Sequence, residues 1–257
     1  MTSADPTKSN PEAPNPQLPT VQRLRIRYAK RGRLRFTSHR DFGRAFERAV
    51  RRAGVPIAYS SGYTPHPKIS YAGAAPTGAA SEAEYLEIGV TRPLDPADVH
   101  RALDAALPPG LDVLDVTVGA QGRGALAERL QASSWRLRLT GVAPQDAVRA
   151  AEAFMQAPEV TVERMTKKGL RSFDARAAVV SLVGAADPDG EDRCAILDLV
   201  VRHGTPSVRP DDVLAGLRAV ADFAPSDVPV ATRVAQGPLD PETGTVGDPF
   251  ATDRDAS

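Results

Sequence analysis

The chain has 257 residues, with 32 Lys and Arg balanced by 32 Asp and Glu, so its formal net charge is zero. It has no apolar run near the roughly 18 residues a membrane helix needs, and no apolar segment near its start that reads as a secretory signal, so a cytoplasmic location is expected. A single cysteine, Cys194, excludes an internal disulfide and a cysteine-ligated iron–sulfur cluster or zinc knuckle made by this chain alone, and four scattered histidines give no metal-site spacing.

Residues 1–19 hold five prolines and few large apolar side chains, which predicts a disordered arm. From Val21 the chain alternates. Leu24, Ile26 and Tyr28 share one face of a predicted strand, and Arg23, Arg25 and Arg27 share the other, giving a half-buried strand with a basic outer face. After a turn at Gly32, Leu34 and Phe36 resume the apolar face between Arg33 and Arg35. Thr37 or Ser38 caps a helix with an apolar stripe of Phe42, Ala45, Phe46, Ala49, Val50 and Ala53. Arg40, Arg44, Arg48 and Arg52 repeat every four residues on another side of it.

Gly54 ends that helix, and Val55–Tyr59 reads as a short strand. A Gly-, Pro- and Ser-rich loop follows, with Ile69–Ala72 as a short strand inside it and Tyr85–Val90 as a clearer one. Asp95 and Pro96 open a helix that Pro108-Pro109-Gly110 stops, and Leu111–Val118 is a further strand. The order β-α-β-β-α-β is complete at that point.

Residues 119–132 read as a linker with room for one short helical turn. The pattern then restarts: alternation through Trp135, Leu137 and Leu139, a helix from Pro144 to Met155, strands at 160–163, 177–183 and 195–201, a helix at 210–220 and a last strand at 228–234. The predicted fold is therefore α+β, with two tandem ferredoxin-like (split βαβ) domains at 20–118 and 133–236. The segment 237–257 carries five acids and one base and reads as a disordered acidic tail.

Charge is unevenly placed. Positions 23–52 contain twelve of the 32 basic residues against Asp41 and Glu47, whereas 81–118 contains eight acids and two bases. A local excess of this size points to a polyanion partner, most simply RNA. Arg25, Arg27, Arg33, Arg35, Arg40, Arg44 and Arg48 are the candidate phosphate contacts. Tyr28 and Phe36 fall on the apolar face and are expected in the core, while Tyr63 and Tyr71, in the loop, suit base stacking. His39 follows Ser38 at a helix start, where it caps or contacts an anion.

His66 stands between two prolines that stiffen its backbone, with Lys68 two residues on. Both are candidate ligand contacts. Glu82 and Glu84 share a strand face and are expected to pair with arginines. Lys167 and Lys168, before Gly169, read as a basic hairpin tip that extends the RNA surface. Cys194 reads as a small buried residue.

Several of these segments keep the order and spacing of a known family. They are Arg35-Phe36-Thr37-Ser38-His39-Arg40-Asp41, Ser61-Gly62-Tyr63-Thr64-Pro65-His66-Pro67-Lys68, Pro76-Thr77-Gly78, Ser81-Glu82-Ala83-Glu84-Tyr85 and Phe173-Asp174-Ala175-Arg176. Over roughly 20–235 the chain resembles the radical-SAM-linked family also called DUF2344. The resemblance implies an accessory role beside a separately encoded radical SAM protein, in RNA or translation-related modification. That partner would carry the iron–sulfur cluster and S-adenosylmethionine, with no cofactor in this chain. The resemblance supplies no catalytic residues for this chain, which, with no cysteine cluster of its own, reads as non-catalytic. Two alternatives stand: a metal-independent endoribonuclease, in which His39, His66 and Lys68 converge on one phosphate, and an adaptor that docks the enzyme by protein contacts alone.

Overall fold

The structure is a computed structural model that describes residues 18–120, 122–167, 169–188 and 194–255. Residues 1–17 of the predicted arm lie outside the described residues. The chain is a mixed α+β protein with six α-helices among the described residues and one mostly antiparallel eight-stranded sheet. Among the described residues no helix is long and apolar enough to cross a membrane.

The first half runs β1 (Gln22–Lys30), a 3-10 turn (Gly32–Phe36), α1 (His39–Arg52), β2 (Ile69–Ala72), β3 (Ala80–Val90), α2 (Pro96–Ala106) and β4 (Val113–Val118). The short helix α3 (Leu126–Arg129) leads to β5 (Ala132–Thr140) and α4 (Pro144–Gln156). The hairpin β6 (Thr161–Thr166) and β7 (Gly169–Asp174) follows, then β8 (Val179–Ala186), β9 (Cys194–Arg202), α5 (Pro210–Ala221), β10 (Val230–Gly237) and α6 (Ala251–Arg254).

The strands lie in the order β4-β1-β3-β10-β5-β9-β8, with β2 also paired to β3. The first half is thus arranged β4-β1-β3-β2. The second is β10-β5-β9-β8, the same arrangement once the separate β6–β7 hairpin is set aside. All of these pairings are antiparallel except the join between the halves. There β10 meets β3 in parallel through two residue pairs, Thr232 with Ala80 and Arg233 with Ser81. Further along the same edge, β2 pairs with β3 from Tyr85 to Ile88.

Each half has its own apolar core. Leu24, Ile26 and Tyr28 of β1 and Leu86 and Ile88 of β3 pack against Phe42 and Phe46 of α1 and Leu103 of α2. Leu137, Leu139, Leu197 and Leu199 pack against Phe154 of α4 and Leu217 of α5. Helix α1 starts where predicted because the Ser38 hydroxyl accepts the Asp41 N–H at 3.2 Å, satisfying one of the first-turn donors. Val55–Tyr59, predicted as a strand, makes only isolated bridges at Ile57 and Tyr59.

The reverse face of the first-half sheet is covered too. Ala72, Ala83 and Tyr85 form a third cluster with Leu126, Leu130 and Phe250. Two expectations change here. The segment 119–132 packs α3 onto the sheet, and residues 238–255, predicted as part of a disordered acidic tail, fold back across the first half. Phe250 is completely buried there, against Tyr85 at 5.4 Å between ring centroids. Acidic, proline-bearing composition predicts disorder only where no distant basic surface waits to pair with it.

Candidate nucleic-acid interface

Helix α1 buries Phe42, Phe46, Ala49 and Val50, which turns Arg40, Arg44, Arg48, Arg51 and Arg52 to solvent. Arg44 and Arg51 have distant carboxylates, Asp41 at 4.0 Å and Glu47 at 3.9 Å. Arg40, Arg48 and Arg52, together with the exposed Arg33 of the preceding turn, have no carboxylate within 4.0 Å among the described residues. The result is a one-sided stripe of positive charge on a rigid element. At the start of α1, the exposed His39 sets its ring edge-on to Tyr71, with centroids 4.9 Å apart. Tyr71 packs against the core and does not present a free ring; burial and the nearby Glu47 push its hydroxyl up to about 12.

The arginines of β1 are placed otherwise. Alternation predicts a basic outer face for Arg23, Arg25 and Arg27; Arg23 is exposed there, but Asp253 of α6 and the Gly124 carbonyl close on Arg25. Arg25 is 3% exposed and donates to Glu87 Oε2 at 3.0 Å and to Asp253 at 2.8 and 2.7 Å. Arg129 donates to the same Asp253 at 2.7 Å, and the Ala120 N–H does so at 3.0 Å. Arg25 is therefore a structural charge and no phosphate contact. Burial disfavours the Asp253 carboxylate, but Arg129, the Ala120 N–H and Arg25 outweigh it and hold the carboxyl below its ordinary value. Arg27 is half-buried and donates to the Glu82 carbonyl at 2.7 Å. Arg31 pairs with both Glu82 and Asp112.

In the loop before β2, Tyr63 is 83% exposed and His66 is exposed, with the His66 N–H donating to Ser60 Oγ at 3.0 Å. Lys68 is exposed and its ammonium donates to Thr20 Oγ1 at 3.2 Å. Strand alternation splits this region. Ile69 and Tyr71 belong to the helix-side core, whereas Ser70 and Ala72 line a cavity of about 830 Å³ on the opposite face, beside Thr20, Arg23 and Arg25. Lys68 lies on that opposite face, its Cβ 3.5 Å from where a side chain on Gly89 would begin. His39, held against Tyr71 on the helix side, does not converge with Lys68. Lys167 is exposed at the tip of the β6–β7 hairpin, which α5 anchors through Arg164 and Asp212 at 2.6 Å; Lys168 lies outside the described residues.

Two features escaped sequence reasoning. Phe36, predicted for the core, is 58% exposed, because Gly32–Phe36 is a 3-10 turn and two-residue alternation does not apply there. The second is a buried ionic seam between the halves. Glu84 pairs with Arg233, whose guanidinium also reaches Gln236 at 2.9 Å and the Gly73 carbonyl at 2.6 Å. Glu84 thus pairs with an arginine as expected, but one from the far half. The clue was Arg233 itself, a lone charge within Val-Ala-Thr-Arg-Val-Ala.

Lys30 is buried beside this seam, its ammonium 3.4 Å from the Pro76 carbonyl. Burial pushes its pKa down, partly opposed by Glu84 and reinforced by Arg233. The unfolded lysine keeps its proton to about pH 10.4, while the folded one releases it earlier. Between those values the unfolded state binds more protons, so this residue's contribution to stability improves as pH rises. The expected outcome is that wild type gains thermal midpoint relative to a Lys30→Met variant as pH is raised from neutral toward 10 or so. A wild-type–variant difference that stays flat across that range would contradict it.

An α+β protein with an arginine-bearing helix on one flank, only partly compensated by carboxylates, defines the class. More particularly, the chain belongs to a family described as an uncharacterized protein conserved in bacteria, DUF2344, whose model matches residues 23–210. The match holds α1, the Pro-His-Pro-Lys loop and the first nine strands, and stops before β10 and the folded-back segment. No curated protein matches the chain.

Proposed function

We propose that this chain is an accessory protein that binds RNA on α1 and presents it to a separately encoded radical SAM enzyme, which supplies the iron–sulfur cluster and S-adenosylmethionine. The observation that carries the reading is the arginine stripe. In a chain with as many acids as bases, Arg33, Arg40, Arg48 and Arg52 stand without a carboxylate within 4.0 Å among the described residues, while Arg23, Arg25 and Arg31 are neutralised. Leaving several guanidinium groups uncompensated side by side costs self-repulsion, and phosphates relieve it. A cytoplasmic location fits this role. Each half is read as a ferredoxin-like unit, supported by the shared strand arrangement and the two separate cores. Such a pair offers a stiff platform on which α1 is held at a fixed angle.

The test is a salt titration of binding to total RNA. Wild type is expected to lose affinity steeply with salt. Changing Arg40, Arg44 and Arg48 together to Glu should lower affinity at least about tenfold and flatten the log–log slope by about 2, since each lost phosphate contact removes about 0.7 in single-stranded RNA. Salt-independent or absent binding by wild type, or equal binding by the triple variant, rejects the reading. The split of His39 from Lys68 across the sheet weighs against the endoribonuclease alternative.

A further inference from the structure

The turn leading into α1 ends in Arg35 and Phe36. An exposed phenyl ring on a soluble surface is an unfavourable place for apolar area, and here it is rigidly held. The Arg35 guanidinium sits 4.7 Å from the ring centroid. The Arg35 carbonyl accepts the Gly78 N–H at 2.8 Å, and the Thr37 N–H closes the turn onto the Leu34 carbonyl at 2.9 Å. Phe36 lines a cleft of about 420 Å³ at the junction of the two halves, whose other wall includes Arg209, Val228 and Val230. Val228 is 92% exposed, so this wall offers open apolar side chains beside the charged Arg209 and Asp211. Within the cleft lining, the Nε of Arg35 is buried and has no hydrogen-bond partner. Phe36 lies four residues before Arg40, at the end of a basic stripe that covers about 18 Å from Arg40 to Arg52 at helical rise.

We infer that Phe36 is a base-stacking platform: the cleft takes one nucleobase of a single strand whose phosphates follow the α1 arginines. The ring supplies a sequence-tolerant stacking surface. The cation behind the ring holds it in place as a stacking face, and Val228 and Val230 line the opposite side. An apolar peptide would also meet the two valines, but the continuity with uncompensated arginines favours a nucleotide. The inference rests on the RNA reading above and adds where a base is gripped.

The experiment combines two readouts on the full chain. First, binding of a short single-stranded oligoadenylate is measured at low salt for wild type, Phe36→Ala and Phe36→Tyr, with thermal midpoints checked. Phe36→Ala should weaken binding roughly tenfold or more, the loss of one stacked base, with the salt slope unchanged; Phe36→Tyr should restore it. Second, Phe36→Trp should be quenched by adenosine monophosphate and not by inorganic phosphate, with the buried Trp135 signal of wild type subtracted. Salt-dependent wild-type binding, with Phe36→Ala unaltered and Phe36→Trp silent, overturns the platform and leaves the RNA reading standing. Quenching by the mononucleotide without oligonucleotide binding supports the platform and rejects phosphate tracking along α1. A photo-crosslinker at position 36 that captures a protein uncontested by oligonucleotide overturns it in favour of a peptide occupant.

Discussion

Asp253→Ala is expected to cost about 3–5 kcal/mol of folding stability, because it leaves two buried guanidinium groups without their shared carboxylate. Arg25 and Arg129 both close on this side chain, which is completely shielded from water. The thermal midpoint should fall by roughly 10 °C for a chain of this size. Asp253→Asn keeps the shape and an acceptor for the Ala120 N–H, so it should lie between wild type and Ala. The pH dependence has a definite sign. Because the folded carboxyl sits below its ordinary value, its contribution is complete above about pH 3.9 and is lost as pH falls through the folded value. The Asn variant should therefore lack part of the acid-induced loss seen in wild type. Urea unfolding at neutral pH that shows Asp253→Ala within about 1 kcal/mol of wild type would contradict the buried pairing.

Glu84→Ala is the second large effect, again about 3–5 kcal/mol, since it strands Arg233 and Lys30 in a shielded seam. Here the location adds a distinct consequence. The halves meet along two parallel residue pairs, this ionic cluster and the packing of Ala75 and Ala79 against the second core. Losing Glu84 should uncouple the two cores, so that unfolding followed by the Trp135 fluorescence of the second half no longer coincides with that followed by far-UV circular dichroism. Combining Glu84→Leu with Arg233→Met removes both charges and should recover much of the stability, because the desolvation cost disappears with them. Coincident transitions in Glu84→Ala would show that strand pairing and apolar packing carry the coupling without the ion pair.

Much of the architecture is legible in the residues because it is locally encoded. Ser38, Asp95 and Pro96 mark helix starts, Pro108-Pro109-Gly110 marks a stop, and the Phe42–Phe46–Ala49–Val50 spacing fixes which side of α1 is wet. The same spacing made the arginine stripe visible. What local pattern misreads is whatever depends on a partner far along the chain. Arg25 alternates like a surface residue, but Asp253 lies 228 positions away. Phe36 alternates like a core residue until a 3-10 turn rotates it outward. The tip of the β6–β7 hairpin was legible at Lys167 and Gly169, but its second strand escaped because Gly169–Asp174 has few apolar side chains and lies outside the main sheet. The separation of His39 from Lys68 required knowing that β2 shows them opposite faces.

The distance between Arg25 and Asp253 also has a bearing on how the protein is made. Synthesis runs at about 5–20 residues per second, so the carboxylate that completes the reverse face of β1 arrives roughly 10–45 s after the arginine it neutralises. For that interval the nascent first half has its β4-β1-β3-β2 strands in hand, but a guanidinium pair with only Glu87 to balance it and Tyr85 without its cover of Phe250. A nascent chain in that condition exposes a mixed basic and apolar face, which closes only when Phe250 and Asp253 are in place.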